Sequence, residues 1–473
     1  MSSIPIYEAD EARASILQRK PLDLNRISPQ QQERLCQVFG ATLSPREAVQ
    51  RILGSVQEGG DDALLDWTKR LDGVEFSAAA ALSVQDAELE QALVTLEKTQ
   101  PALYHALELA ARRIAVYHES QPLNSWFTTK LGGHMGQMLR PLDSVGFYVP
   151  GGNAPLPSTA LMTMIPAIVA GCRRFVVTSP PSRESGDISP VTLAACAICK
   201  RMLKEQIRDL GVDQNITSAF QVFRLGGAQA IGAMAYGTQT VPRVDKIVGP
   251  GNLYVTLAKR EVYGVCDIDG IYGPTEAIVI ADASARAELV AADLLAQAEH
   301  DEAAVPILLT PSRPFAEKVR EALSRQLQAL PSAAAAQRAL HALQHQGGLV
   351  VADSLESCAE LCSAFAAEHV SLSVSQPWEL LPRIRHAGGI FVGETSGEVL
   401  GDYIAGPSHV MPTGGSARYA SPINVLDFIK ITSVIALDVS TARKVAAAAE
   451  KIASAERLDA HAAAAQQRVH MSE

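Results

Sequence analysis

Ser144–Pro150 reads SVGFYVP and runs directly into the small-residue stretch GGNAPLPST, Gly151–Thr159. That order, a short apolar run followed by a glycine-rich loop, decides the fold. The long apolar segment after it predicts a helix kinked at Pro166. The same grammar returns three times. FVVTSP (Phe175–Pro180) precedes a loop and a helix over Val191–Leu203. QVFRL precedes Gly226-Gly227 and the helical AQAIGAMAYG, and DKIVGPGN precedes LYVTLAKREV. Strand, small-residue loop and helix in succession predict βα units and a parallel sheet. Ligands bind such sheets at the carboxyl ends of the strands, so Tyr148, Gln229 and Asn252 are expected to face one site.

None of these loops is a complete dinucleotide fingerprint. Gly249-Pro250-Gly251-Asn252 lacks the third glycine and has Tyr254 where it would fall, and small-residue turns serve tight strand-to-helix packing in any α/β protein. After Gly273-Pro274-Thr275-Glu276 a second series begins. AIVIAD leads to an amphipathic helix ending in LLAQAEH, then PILLTP, a helix from about Arg313 to Leu330, GLVVAD, a helix to about Ala367, HVSLSV and GGIFVG. A second α/β unit is expected there. The region from Glu8 to Leu142 is mostly helical in its spacing, and an Ala-rich helical tail is expected over Thr441–Val469.

Bulk composition narrows the class. At 473 residues the chain exceeds one hydrophobic core. Apolar residues at 47% and charged residues at 19% describe a globular α/β protein. A net charge of −10, with no dense Lys/Arg cluster, argues against nucleic acid as a partner. The most apolar run, Ala160–Cys172, contains Pro166 and is too short to span a membrane. The opening MSSIPIYEAD lacks a signal-peptide core, so a cytoplasmic location is expected. Seven cysteines in a chain this long suit a reducing compartment. The single Cys196/Cys199 CxxC lies in a helical pattern with no second pair, and Cys358 and Cys362 read as buried helix contacts.

Chemistry concentrates in Gly401–Gly415, GDYIAGPSHVMPTGG, where Asp402, Tyr403 and His409 lie among glycines and prolines. The reading is a loop that carries binding groups. QAEH places Gln297 and His300 at i and i+3, on one helix face, a spacing that suits two ligands of one metal. Glu368-His369 stands where a helix yields to a strand, an acid beside an imidazole. Gln297, His300, Asp402 and His461 would make a mixed nitrogen and oxygen set suited to zinc. No HExxH is present, which excludes a zincin-type hydrolase.

GFYVPGGNAPLPST, GGAQAIGAMAYGT, DKIVGPGN, QAEH, AEHVSL, GDYIAGPSHVMPT and the spaced Glu456/His461 together resemble the histidinol dehydrogenase family, in order and over nearly the whole chain. The resemblance implies two large incomplete Rossmann-like domains with parallel sheets, a small helical N-terminal segment and a helical C-terminal tail. Its boundaries would be 1–47 for the N-terminal segment, 48–143 with 277–423 for the metal and catalytic domain, 144–276 for the NAD domain and 424–473 for the tail. It implies four-electron oxidation of L-histidinol through the aldehyde to L-histidine with NAD and one zinc ion, in a homodimer with shared active sites. By motif position, Gln297, His300, Asp402 and the partner's His461 would hold zinc, and Glu368 and His369 would be the acid/base pair. Ser158, Thr275, Tyr403, His409 and Glu456 would contact substrate together with Gln297, His300, Glu368, Asp402 and His461, while Tyr148, Gln229 and Asn252 would contact NAD. Two departures fall near the substrate: Thr275 stands where the family more often has Ser, and Ser408 where it more often has Asn. The alternatives are a relative acting on another small polar alcohol, such as a sulfonated propanediol, and a non-enzymatic zinc- or nucleotide-binding protein.

Overall fold

The computed structural model describes residues 4–19, 24, 27–151, 155–209 and 220–471. Gly152–Ala154 of the first glycine-rich loop lie outside the described residues. The chain divides into two units, residues 1–119 with 143–427 and residues 120–142 with 428–473.

The larger unit contains two six-stranded sheets. Sheet I is parallel throughout, in the order Ile6–Glu8, Gly348–Val351, Val305–Thr310, Glu276–Ala281, His369–Ser373, Gly389–Val392. Alternation fixes its two faces: Val279, Ala281, Leu308 and Leu349 enter one core, and Ile278, Ile280, Ile307, Leu309 and Val350 the other. Sheet II runs Ser83–Val84, Phe220–Arg224, Arg174–Ser179, Ser144–Tyr148, Lys246–Val248, Asp267–Ile268. It is parallel apart from the short first strand, which pairs antiparallel. The four βα units read from the sequence all lie in it.

Helix Pro45–Trp67 starts at Ser44, whose hydroxyl caps Glu47 N while the Glu47 side chain returns to Ser44 N. Its apolar residues Val49, Ile52, Leu53 and Val56 pack with Ile231, Met234 and Val255 beside sheet II. Strand Ser83–Val84 extends that same sheet. The stretch from Pro45 to Val84 is therefore built onto sheet II, whereas the sequence division joins it to residues 277–423. The reason is apolar matching over long range, which helical spacing does not reveal. Residues Ile6–Glu8, expected to be helical, form an edge strand of sheet I.

In the smaller unit, Trp126–Thr128, His134–Pro141 and Ile429–Ala436 form an antiparallel sheet. The expected continuous tail helix is two helices, Val439–Ala455 and Asp459–Val469, broken where Arg457 adopts φ +59°. No Gly or Pro marks that break. Cys196, Cys199, Cys358 and Cys362 are buried in helices, and burial pushes the Cys196 thiol up to about 12. Among the described residues no helix is long and apolar enough to cross a membrane.

Candidate active site

Glu368 and His369 open the fifth strand of sheet I at its amino-terminal edge, and Thr275 and Glu276 open the adjacent fourth strand. Helix Ala287–Ala298 runs back antiparallel to the strands and delivers Gln297 to the same edge. Successive residues of a strand point to opposite faces, but Glu368 precedes the strand and turns back. Its Oε2 lies 3.6 Å from His369 Nδ1. The same oxygen accepts from Thr275 Oγ1 at 2.5 Å and from Glu276 N at 3.1 Å. His369 reaches Asp402 Oδ1 through Nε2 at 3.3 Å and stacks on Phe391. Both members of the pair are buried, at 7% and 4% exposure.

Asp402 lies in a wide helical turn, Gly401–Ala405, that continues the short helix Glu398–Leu400. This corrects the reading of Gly401–Gly415 as wholly irregular, because the helix-breaking Gly406-Pro407 comes only after the turn is complete. The turn also brings in Glu398, one helical turn before Asp402, which the sequence reading did not single out although i and i+4 spacing was visible. Nitrogen and oxygen atoms of His369, Glu398 and Asp402 lie within 4.8 Å of one another. With its amide oxygen and nitrogen exchanged, the orientation that satisfies both, Gln297 donates to Glu398 Oε1 at 2.5 Å and accepts from Glu276 N at 3.0 Å.

The electrostatics follow from burial and crowding. Burial raises the Glu398 carboxyl to about 8 against the attraction of His369. Burial alone would push His369 down, but the carboxylates of Glu398 and Glu368 and the bond to Asp402 carry it well above its ordinary range. Burial opposes ionisation of Asp402 too, yet its bond to His369, with His409 and His300 nearby, holds it below the usual carboxylate range. His409 Nδ1 donates to the Asp402 carbonyl at 2.7 Å, and burial lowers its pKa. His369 Nδ1 and Glu398 Oε2 are buried without a hydrogen-bond partner among the described residues. This cluster of carboxylates and one imidazole, with one unsatisfied carboxylate oxygen and one unsatisfied ring nitrogen, fits a divalent cation with nitrogen and oxygen ligands, and of the zinc ligands expected from the resemblance only Asp402 belongs to it.

Behind the pair, Arg19 grips Glu276 with both terminal nitrogens, one bond measuring 2.8 Å, and lies over the Phe365 ring. Glu276 also accepts from Gly414 N at 3.2 Å. Neither Arg19 nor Glu276 carried a sequence signal, since 257 residues separate them.

The structure therefore brings Thr275, Gln297, Glu368, His369, Asp402 and His409 together, with His300 close enough to act on Asp402. Tyr403 is 55% exposed. Ser158 lies in the first turn of helix Pro157–Ala170. Glu456 and His461 belong to the smaller unit, where both are exposed.

A cavity of about 530 Å³ opens at the carboxyl edge of sheet II. Tyr148, Gln229 and Asn252 all line it. Tyr148 Oη accepts from Gly227 N at 3.2 Å, and Asn252 caps helix Leu253–Val262.

The model of the histidinol dehydrogenase family matches residues 41–469. The chain belongs to the histidinol dehydrogenase family. It is 47% identical over 436 residues to the histidinol dehydrogenase of Deinococcus radiodurans, covering 92% of this chain and 93% of the relative. Against that of Thermus thermophilus it is 43% identical over 459 residues, 97% and 98% of the two chains. The crystal structure of histidinol dehydrogenase from Elizabethkingia anophelis superposes with a TM-score of 0.83 at 32% identity, covering 98% and 97% of the chains. Membership makes the chain an oxidoreductase that acts on a small molecule, and the fold class expected from the histidinol dehydrogenase resemblance is the one observed.

Proposed function

We propose that the protein oxidises L-histidinol through L-histidinal to L-histidine, using NAD and one zinc ion per active site. The observation that carries this reading is the convergence of Glu368, His369, Asp402 and Glu398 with Thr275 and Gln297 on one sheet edge, in a chain of the histidinol dehydrogenase family. Gln297, His300 and Asp402 are the proposed zinc holders, with His461 of the partner subunit. Zinc, when bound, would fix the substrate's imidazole and amino nitrogens and neutralise the surrounding carboxylates. NAD supplies the hydride acceptor, and the cavity at Tyr148, Gln229 and Asn252 is its proposed site.

The chain's own residues move the protons. His369, once the carboxylates that raise its pKa are neutralised, takes the hydroxyl proton as hydride leaves the carbinol carbon. Glu368, held by Thr275 Oγ1 and Glu276 N, takes a proton from the water that adds to the aldehyde, so that a second hydride can leave. Thr275 keeps the hydroxyl that positions Glu368, and Ser408 is buried at 1% exposure. Glu456, Ser158, Tyr403 and His409 are proposed substrate contacts.

Homodimer formation is supported by large apolar side chains left exposed in the smaller unit, including Trp126, Phe127, Ile431, Ile435 and Ile452. The decisive assay counts NADH per L-histidinol in zinc-loaded protein. Two per substrate is the expected yield. A yield of one, or turnover confined to a sulfonated propanediol, would replace this reading with the narrower or the alternative dehydrogenase.

A further inference from the structure

The cavity of sheet II contains an acid outside every motif considered above. Asp72 lines it together with Tyr148, Gln229 and Asn252. Its Oδ2 accepts from Gln229 Nε2 at 3.1 Å, and its Oδ1 receives no hydrogen bond from the described residues. Gln229 is fully buried, and its Oε1 has no partner among the described residues. The nearby guanidiniums hydrogen-bond to backbone carbonyls and attract the Asp72 carboxylate without bonding to it. Arg183 donates to the carbonyls of Asp72 and Leu71 at 3.2 and 3.3 Å, and Arg34 to that of Leu71 at 3.5 Å.

The position of Asp72 sets what can bind there. Its Oδ1 lies 3.2 Å from where a Cβ on Gly226 would stand, at the turn into helix Gly227–Tyr236. A helix N-terminus otherwise favours phosphate. A carboxylate at that turn repels one, and two open acceptors ask the ligand for hydroxyl donors. Sheet order tells which end of a dinucleotide meets them. Gln229 follows the strand Phe220–Arg224, whereas the segment that runs on to Thr275 and the acid/base pair leaves the strand Asp267–Ile268, four places across the sheet. At about 4.8 Å per strand that separation is ~19 Å, so the end of the cofactor remote from the nicotinamide lies at Asp72.

We propose that Asp72 and Gln229 Oε1 read the vicinal hydroxyls of the cofactor's adenosine ribose and exclude a cofactor phosphorylated at the 2′ position. This rests on the assignment of the cavity to NAD. Asp72 acts as a specificity residue, with no part in the chemical step.

The test is steady-state kinetics of wild type and Asp72→Asn with NAD, its 2′-phosphorylated counterpart and nicotinamide mononucleotide, which lacks the adenosine. Losing a charged hydrogen-bond acceptor is expected to raise KM for NAD about 10-fold or more. The preference for NAD over the 2′-phosphate should fall about as far, with kcat within about twofold and the mononucleotide unaffected. A merely structural role would lower kcat for all three cofactors alike. An unchanged KM for NAD and unchanged discrimination in Asp72→Asn would overturn the proposal. Wild type with 2′-deoxy-NAD reads the same subsite without a substitution, and equal KM for deoxy and native cofactor would overturn it too. Calorimetry of wild type with NAD separates the two levels: no binding there refutes the cavity assignment itself.

Discussion

Replacing Lys259 with Met removes one half of a fully enclosed ion pair. Lys259 and Asp269 are 2% and 0% exposed and bonded to each other. Lys259 also donates to the Gly249 carbonyl at 2.9 Å and stands 4.8 Å from the centre of the Tyr272 ring. Asp269 accepts from Gly249 N at 2.7 Å and Gly270 N at 2.8 Å. Gly249 is thus held at both its amide groups, in a conformation with φ +122° where a Cβ would meet Tyr148 O at 2.2 Å. In Lys259→Met, Asp269 keeps its two backbone donors but loses its counter-charge inside the protein. Breaking a buried pair from one side costs ~3–5 kcal/mol, because the remaining charge stays desolvated. The control is Arg70→Met, which breaks a pair with Asp66 that is 40% and 57% exposed, along with a bond to the Val38 carbonyl and a contact with the Trp67 ring; the exposed pair itself should cost less than ~1 kcal/mol. Urea unfolding followed by circular dichroism measures both. The double variant Lys259→Met/Asp269→Asn should recover at least half of the loss, since no charge is then stranded. A Lys259→Met loss within ~1 kcal/mol of wild type, or one matched by Arg70→Met, would refute the reasoning.

Other outcomes follow from the same geometry. His369→Asn should nearly abolish the alcohol step, while Glu368→Gln should spare aldehyde reduction and stop acid formation; equal loss of both half-reactions in both variants contradicts the division of labour. Thr275→Ser should keep near-normal kcat/KM, whereas Thr275→Val, which removes the donor to Glu368, should lower it about 10-fold, as initial rates will show. Burial raises the Asp72 carboxyl to about 6 from 3.8, so the folded state binds its proton more tightly than the unfolded chain. Stability from this group is present below about pH 4 and is lost as pH rises through about 6, by ~3 kcal/mol. Asp72→Asn should therefore flatten unfolding free energy between pH 4 and 6 and be the more stable protein at pH 7, even as it binds cofactor less well. A steeper pH dependence in the variant would reverse that sign.

The βα grammar was legible because strand, loop and helix are each written in local periodicity. Strand order was not. Nothing near Ile6 announces that it pairs beside Gly348–Val351, or that helix Pro45–Trp67 packs with sheet II, since both depend on apolar surfaces hundreds of residues apart. At the site, Glu368, His369, Gln297 and Asp402 stood out because polar groups at element ends are conspicuous in an apolar chain. Glu398 was not singled out, and the turn at Gly401 places it inward, buried at 2% exposure. Arg19, Glu276 and Asp72 have no local signature, since their roles come from long-range partners. Arg457 shows the opposite limit, a helix break at an ordinary residue.

Sheet II uses strands drawn from residues 83–268, a segment interposed between the first strand of sheet I and the other five. Its pairings are comparatively local. Sheet I must wait for Gly389–Val392, and its edge strand Ile6–Glu8 pairs with residues more than 300 positions later. Closing contacts of such separation is slow because loop entropy is lost before the contacts form. During synthesis, sheet II would assemble while sheet I is still incomplete with its N-terminal strand unattached. Arg19 can reach Glu276 only after that wait, so the contact that forms the floor beneath Glu368 and His369 depends on the N-terminal segment docking late.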